Sequence, residues 1–188
     1  MKRISFKTMK RTRRIGLLVG IFFAATAILG GTAFAATSVV LTGGTLNITA
    51  PSVGNFTGVT LNGTAQTTSA TMGTFSVVDS RGTGVGWNVT VQASQFTATG
   101  HTLPMGSISM PAPTGAKTDA TSGGTPSINS GPYLIDSASA IKIATAAADG
   151  TGMGSYLFTP SSLTLSVGAN AYAGNYTSTV TVSVVTGP

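Results

Sequence analysis

Apolar side chains recur at every second position in short runs along most of the chain. Leu46 and Ile48 form the first such pair. Phe75, Val77 and Asp79 share one side of a later run, and Trp87, Val89 and Val91 share one side of the next. Near the end, Val180, Val182 and Val184 alternate with Thr179, Thr181 and Ser183. A period of two puts one face of a strand on a core and the other toward solvent. Thr, Val and Ser fill the runs while Gly and Pro separate them, as expected of short strands joined by turns. The pattern predicts an all-β protein, an antiparallel β-sandwich forming a single domain over residues 36–188.

The segments between the runs carry expectations of their own. Residues 80–86 are expected to join two adjacent antiparallel strands, with Gly82, Gly84 and Gly86 supplying the positive φ values a compact loop needs. Residues 111–130 hold Pro, Gly, Thr and Ser with hardly a large apolar side chain, and read as a long surface loop. Residues 138–149 are alanine-rich, but Ile141 and Ile143 alternate. That favours a strand ending near Ala144 and a turn at Asp149-Gly150 over a helix.

Residues 15–29 break the alternation. They form an apolar core, interrupted only by Thr26, and follow a basic front of Lys2, Arg3, Lys7, Lys10, Arg11, Arg13 and Arg14. Ala33-Phe34-Ala35 then supplies the small residues of a cleavage site, so residues 1–35 read as a signal peptide removed before Ala36. An apolar core of about 15 residues is short of the roughly 20 that span a bilayer, which argues against a retained anchor.

Removing that peptide changes the electrostatics. The whole chain has a formal charge of +6. The part after residue 35 keeps only Arg81, Lys117 and Lys142 against Asp79, Asp119, Asp136 and Asp149, a formal charge of −1. No basic stripe remains to neutralise phosphates, so nucleic acid is not an expected partner. With no cysteine there are neither disulfides nor thiolate metal sites. No integral membrane segment is expected in the mature chain, which would then be free or held non-covalently.

Few residues offer chemistry. His101 is the sole histidine and there is no Glu, so multi-histidine zinc sites are excluded and no cofactor is expected. No Gly-x-Ser-x-Gly elbow accompanies it. Ser139 and Lys142 match a Ser-x-x-Lys spacing in letters only, because the Lys-Thr-Gly partner is missing. Asp149-Gly150-Thr151-Gly152 has one carboxylate where a calcium loop uses several. The four Asp residues show no pairing suited to glycoside hydrolysis. An enzyme is therefore not expected.

The candidates for binding lie around one turn. Asp79 and Arg81 either pair with each other and with backbone groups to fix the loop, or hold a ligand carboxylate or amide through the guanidinium fork. Trp87 either closes the core, as its alternation with Val89 and Val91 favours, or stacks on a sugar ring. With Asn88 and Tyr176 they make up the candidate ligand-binding set; no catalytic or metal-ligating residue is assigned.

Arg81-Gly82-Thr83-Gly84 followed by Trp87-Asn88-Val89, and a Tyr176-containing segment followed by Val182-Ser183-Val184, form an ordered pair of signatures. Between them lie Gly131-Pro132-Tyr133-Leu134-Ile135-Asp136 and Gly154-Ser155-Tyr156-Leu157-Phe158. The set resembles the WxL domain of Gram-positive surface proteins over nearly all of the chain after residue 36. It departs from that pattern in having Val89 for Leu in the first tripeptide and Val182 for Trp in the second. The resemblance implies a secreted, non-enzymatic protein at the cell surface, bound non-covalently to peptidoglycan or another wall polymer. It also implies association with membrane-anchored WxL-interacting proteins. A structural subunit of a surface layer or fibre, assembling through strand edges, is the alternative.

Overall fold

The computed structural model describes residues 37–188; the expected signal peptide, residues 1–35, lies outside the described residues. Val40–Pro188 forms one compact unit. Its elements are β1 (Leu46–Thr49), β2 (Gln66–Ala70), β3 (Phe75–Asp79), β4 (Trp87–Ala93), β5 (Thr97–Ala98), β6 (His101–Thr102) and β7 (Ile108–Met110). There follow β8 (Thr114–Lys117), β9 (Ser127–Ile128), β10 (Tyr133–Leu134), β11 (Ile141–Ala146), β12 (Gly154–Thr159), β13 (Leu163–Val167) and β14 (Val180–Thr186). The described residues contain no helix, and the fold is all-β and antiparallel as the alternation predicts.

Three four-stranded sheets and one small hairpin make up the architecture. Their orders are β1-β3-β12-β8, β10-β7-β13-β2 and β14-β4-β11-β9, with β5 paired to β6. The inner faces of all three large sheets meet in a single apolar core. β3 and β4 show the predicted alternation directly: Phe75, Val77 and Asp79 are buried on one, and Trp87, Val89 and Val91 on the other. Phe75 and Phe158 stack at 5.0 Å within one sheet, and Trp87 reaches across from another to pack on Tyr156 at 5.4 Å. Burying each such side chain contributes about 1.5–3 kcal/mol, so these aromatic contacts hold the sheets together.

Three expectations need correction. Residues 80–86 do not join adjacent strands. β3 pairs with β1 and β12 while β4 pairs with β14 and β11, so the loop carries the chain from one sheet to another. Its glycines do take positive φ values of 69°, 66° and 71°. They set the compactness of the loop, but the pairing of the flanking strands is decided elsewhere. Residues 111–130 are more than a loop: β8 pairs with β12 and β9 with β11, each as the edge of its sheet. Edge strands bury little, and β8 is largely exposed, which is why no apolar periodicity marks them. β11 runs to Ala146, two residues past the expected end, and a register shift between Lys142 and Ala144 puts Ile143 and Ala144 both inside.

Candidate functional site

The salt bridge at the sheet-to-sheet loop is bidentate. Arg81 Nε donates to Asp79 Oδ1 and Nη2 to Asp79 Oδ2, each at 2.9 Å. Nη2 also donates to the Gly86 carbonyl at 2.8 Å, and Nη1 to Thr186 Oγ1 at 2.9 Å. The Arg81 backbone N–H adds a bond to Asp79 Oδ1 at 3.2 Å. Four of the five N–H donors of the fork are thus engaged by the protein itself. Asp79 is 2% exposed, and the hydrogen bond from the Arg81 side chain holds its carboxyl below the usual carboxylate range. The same bond raises the pKa of Arg81. Of the two roles open to this pair, loop fixing is the one its geometry performs.

Trp87 follows directly and has no exposed surface. Its Nε1 donates to the Gly152 carbonyl at 2.8 Å, satisfying the one polar atom of the buried indole. The ring lies among Tyr156 and Phe158, with Ala146 buried nearby, and leaves no face for a sugar. Tyr156 in turn shares its single O–H between the carbonyls of Thr151 and Met153, and burial pushes its pKa up. Asn88, on the opposite face of β4, donates through Nδ2 to the Gly187 carbonyl at 2.9 Å. Gly187 N–H donates to the Gly86 carbonyl at 3.2 Å.

Asp79, Arg81, Trp87 and Asn88 are therefore neighbours, and this cluster clasps Thr186 and Gly187 onto β4. The two sequence signatures meet here. β14 pairs with β4 along its whole length, setting Val182 opposite Val91, Val184 opposite Val89 and Thr186 opposite Trp87. Directly opposed residues share a face of the sheet, so Val182 looks toward the core, half-buried.

Tyr176 lies elsewhere. It lines a groove of about 1170 Å³ between residues 51–61 and residues 171–180, the latter ending in the first residue of β14. Phe96, Leu103, Leu165 and Val167 contribute to its lining and belong to the core. The first wall runs beside β2, held by Gly54 N–H to the Thr71 carbonyl at 2.9 Å and by Thr68 Oγ1 to the Thr57 carbonyl at 2.6 Å. Phe56 anchors it edge-on to Phe96 at 5.6 Å. The second wall is pinned by the reciprocal bonds of Thr97 and Thr177 at 2.9 and 3.0 Å. Tyr176 donates its hydroxyl to the Tyr172 carbonyl at 3.1 Å. Tyr172 itself is 63% exposed and lies parallel to the His101 ring at 3.8 Å. None of the described residues lining the groove carries a charge.

Sequence reasoning missed this groove because its parts are far apart in the chain and none forms a local motif. It also missed Asp136, which is 1% exposed and accepts the N–H groups of Ser107 at 2.9 Å and Ile108 at 3.0 Å. A carboxylate between Ile135 and a run of small residues was the available signal. Asp119 and Asp149 each accept from a Thr two residues on, which lowers their pKa and tightens exposed turns. Ser139 precedes β11 and Lys142 lies on it, so the pair shares no helix face. Among the described residues no three His, Cys, Asp or Glu side chains converge to hold a metal, and no helix is long and apolar enough to cross a membrane.

An all-β unit whose scarce charges mostly fasten loops, and whose groove beside Tyr176 is lined without a charge, has the make-up of a binding module. The family comparison gives that class a name. The model described as WxL domain surface cell wall-binding matches residues 38–188, and the chain belongs to this family. No curated protein and no solved structure gives a significant match. The family is one of wall-binding surface domains, which places the chain's general role at the cell wall.

Proposed function

We propose that the protein is exported, loses residues 1–35, and attaches non-covalently to the peptidoglycan of a Gram-positive wall without catalysing any reaction. In this reading residues 36–188 are the attached domain, joined in a surface complex by a membrane-anchored WxL-interacting protein. The observation that carries it is the family match across residues 38–188. The chemistry agrees with it: a formal charge of −1 after residue 35 leaves attachment to hydrogen bonds and apolar contact rather than ion pairing. The test is sedimentation of the purified protein with protein-free sacculi. Denaturant should release it and high salt should release little, since few charges are available to screen.

One observation favours the structural-subunit alternative. β14 is seven residues long, uncharged, and hydrogen-bonded as a strand on one side only, with Val185 46% exposed. Long uncharged edges invite pairing with another strand. Concentration-dependent assembly in the absence of sacculi, with no sedimentation in their presence, would decide for that alternative.

A further inference from the structure

The geometry points to the groove between residues 51–61 and 171–180 as a binding site for an uncharged glycan strand bearing acetamido groups. The inference rests on the wall-binding reading above and deepens it by naming the site and the ligand chemistry.

Size is the first argument. A volume of about 1170 Å³ exceeds the roughly 300–1,000 Å³ of most small-molecule pockets, so an oligomer fits it better than a single small ligand. Charge is the second. A phosphate-bearing polymer or a peptide carboxylate entering the groove would meet no cation on its lining. Arg81 engages four of its five side-chain donors at the loop before β4 and, like Lys117 on β8 and Lys142 on β11, lines no part of the groove. Desolvating an ion without a partner costs far more than desolvating a neutral hydroxyl or amide. The groove therefore selects against anionic ligands.

The lining argues for sugar in particular. Tyr172 presents an exposed ring whose position is fixed on one side by the parallel His101 ring and whose backbone carbonyl is fixed by the Tyr176 hydroxyl. A flat ring already ordered before binding meets the C–H face of a pyranose with little loss of rotamer freedom. Asn55 and Asn175 each offer two donors and an acceptor to hydroxyl and amide groups. Apolar residues such as Leu165 and Val167 suit the methyl of an acetamido group, which gains from leaving water.

Two substitutions test the site with little risk to the fold. Tyr172→Ala removes an exposed ring and keeps the carbonyl that Tyr176 uses. Gly58→Trp adds bulk to the groove wall at a position where a Cβ meets nothing within 4 Å. The probes are an N-acetylglucosamine hexamer, followed by titration calorimetry, and sacculi with and without their anionic polymers, followed by sedimentation. The purified protein should bind the hexamer and both kinds of sacculi, and each variant should weaken binding about tenfold, near 1.4 kcal/mol, with an unchanged melting temperature. Sacculus binding that persists unchanged in both variants would overturn the groove while leaving wall attachment intact. Binding lost when the anionic polymers are stripped would overturn the choice of a neutral glycan. If the unaltered protein failed to sediment at all, wall attachment would fall. Hexamer binding abolished by both variants would then still support the groove.

Discussion

Arg81 and Thr186 lie 105 residues apart in the chain, yet Arg81 Nη1 donates to Thr186 Oγ1 at 2.9 Å. The guanidinium that neutralises Asp79 is thereby also a fastening for the last strand. One side chain ties the loop between two sheets to β14.

Arg81→Ala should consequently act on stability. Removing the guanidinium leaves the Asp79 carboxylate buried without its cation, and breaking such a pair costs about 3–5 kcal/mol. Arg81→Lys should recover only part of this, because an ammonium cannot reproduce the two parallel bonds to Asp79 and the one to Gly86. Denaturant titration of the three proteins provides the comparison. An unchanged midpoint for the alanine variant would refute the clasp.

Trp87 is the only tryptophan, so its fluorescence reports the core without interference. Emission should be blue-shifted and resistant to a soluble quencher until the protein unfolds. Trp87→Ala should cost about 3–5 kcal/mol. Trp87→Phe should cost less, with about 1–3 kcal/mol arising from the Gly152 carbonyl left without its donor. Ready quenching in the native state would contradict the burial.

The pH dependence follows from Asp79 and Tyr156. The folded-state pKa of Asp79 lies below its unfolded value, so the stability it contributes is present above about pH 3.9 and is lost as the pH falls through the folded-state pKa. Tyr133 and Tyr156 shift the other way, chiefly by burial, so their contribution is complete below about pH 10 and is lost as the pH rises through their folded-state values. Melting temperature should fall at both extremes. Asp79→Asn should flatten the acid limb and leave the alkaline limb in place.

Gly86→Ala should be strongly destabilising for its size. The residue has a φ of 71°, and an added Cβ would lie 2.8 Å from the Ala147 carbonyl carbon. The left-handed backbone alone costs about 1–2 kcal/mol for an L-residue, and the clash with backbone adds to it. Gly63→Ala, at a φ of 80° with open space around it, separates the two effects and should cost only the first.

Much of this fold was legible in the chain. The alternation at Trp87, Val89 and Val91 identified a strand and its buried face because burial on one side of a strand leaves a local mark. The glycines of residues 80–86 were legible as positive-φ positions, yet the strands on either side proved to lie in different sheets. Backbone conformation is local, whereas the pairing of Asp79 with Gly154 and of Trp87 with Ala146 and Thr186 is not. The edge strands β8 and β9 left no pattern because they bury little. Of the candidate site, Asp79, Arg81, Trp87 and Asn88 are close in sequence and stay close in the structure, but the internal partners that occupy their polar groups could not be read from spacing. Tyr176 was found without the groove around it, since Phe56, Leu103 and Val167 become its neighbours only when the sheets assemble.

The pairing of β14 with β4 also sets an order of events. β4 waits for a neighbour that is synthesised long after it. Until residues 180–186 arrive, Val89 and Val91 border an open edge, and the fastening at Arg81 has no Thr186 to reach. Contacts so distant in sequence form slowly. A chain emerging from a ribosome or threading a narrow channel therefore keeps this sheet open, and the sheet locks only when β14 arrives.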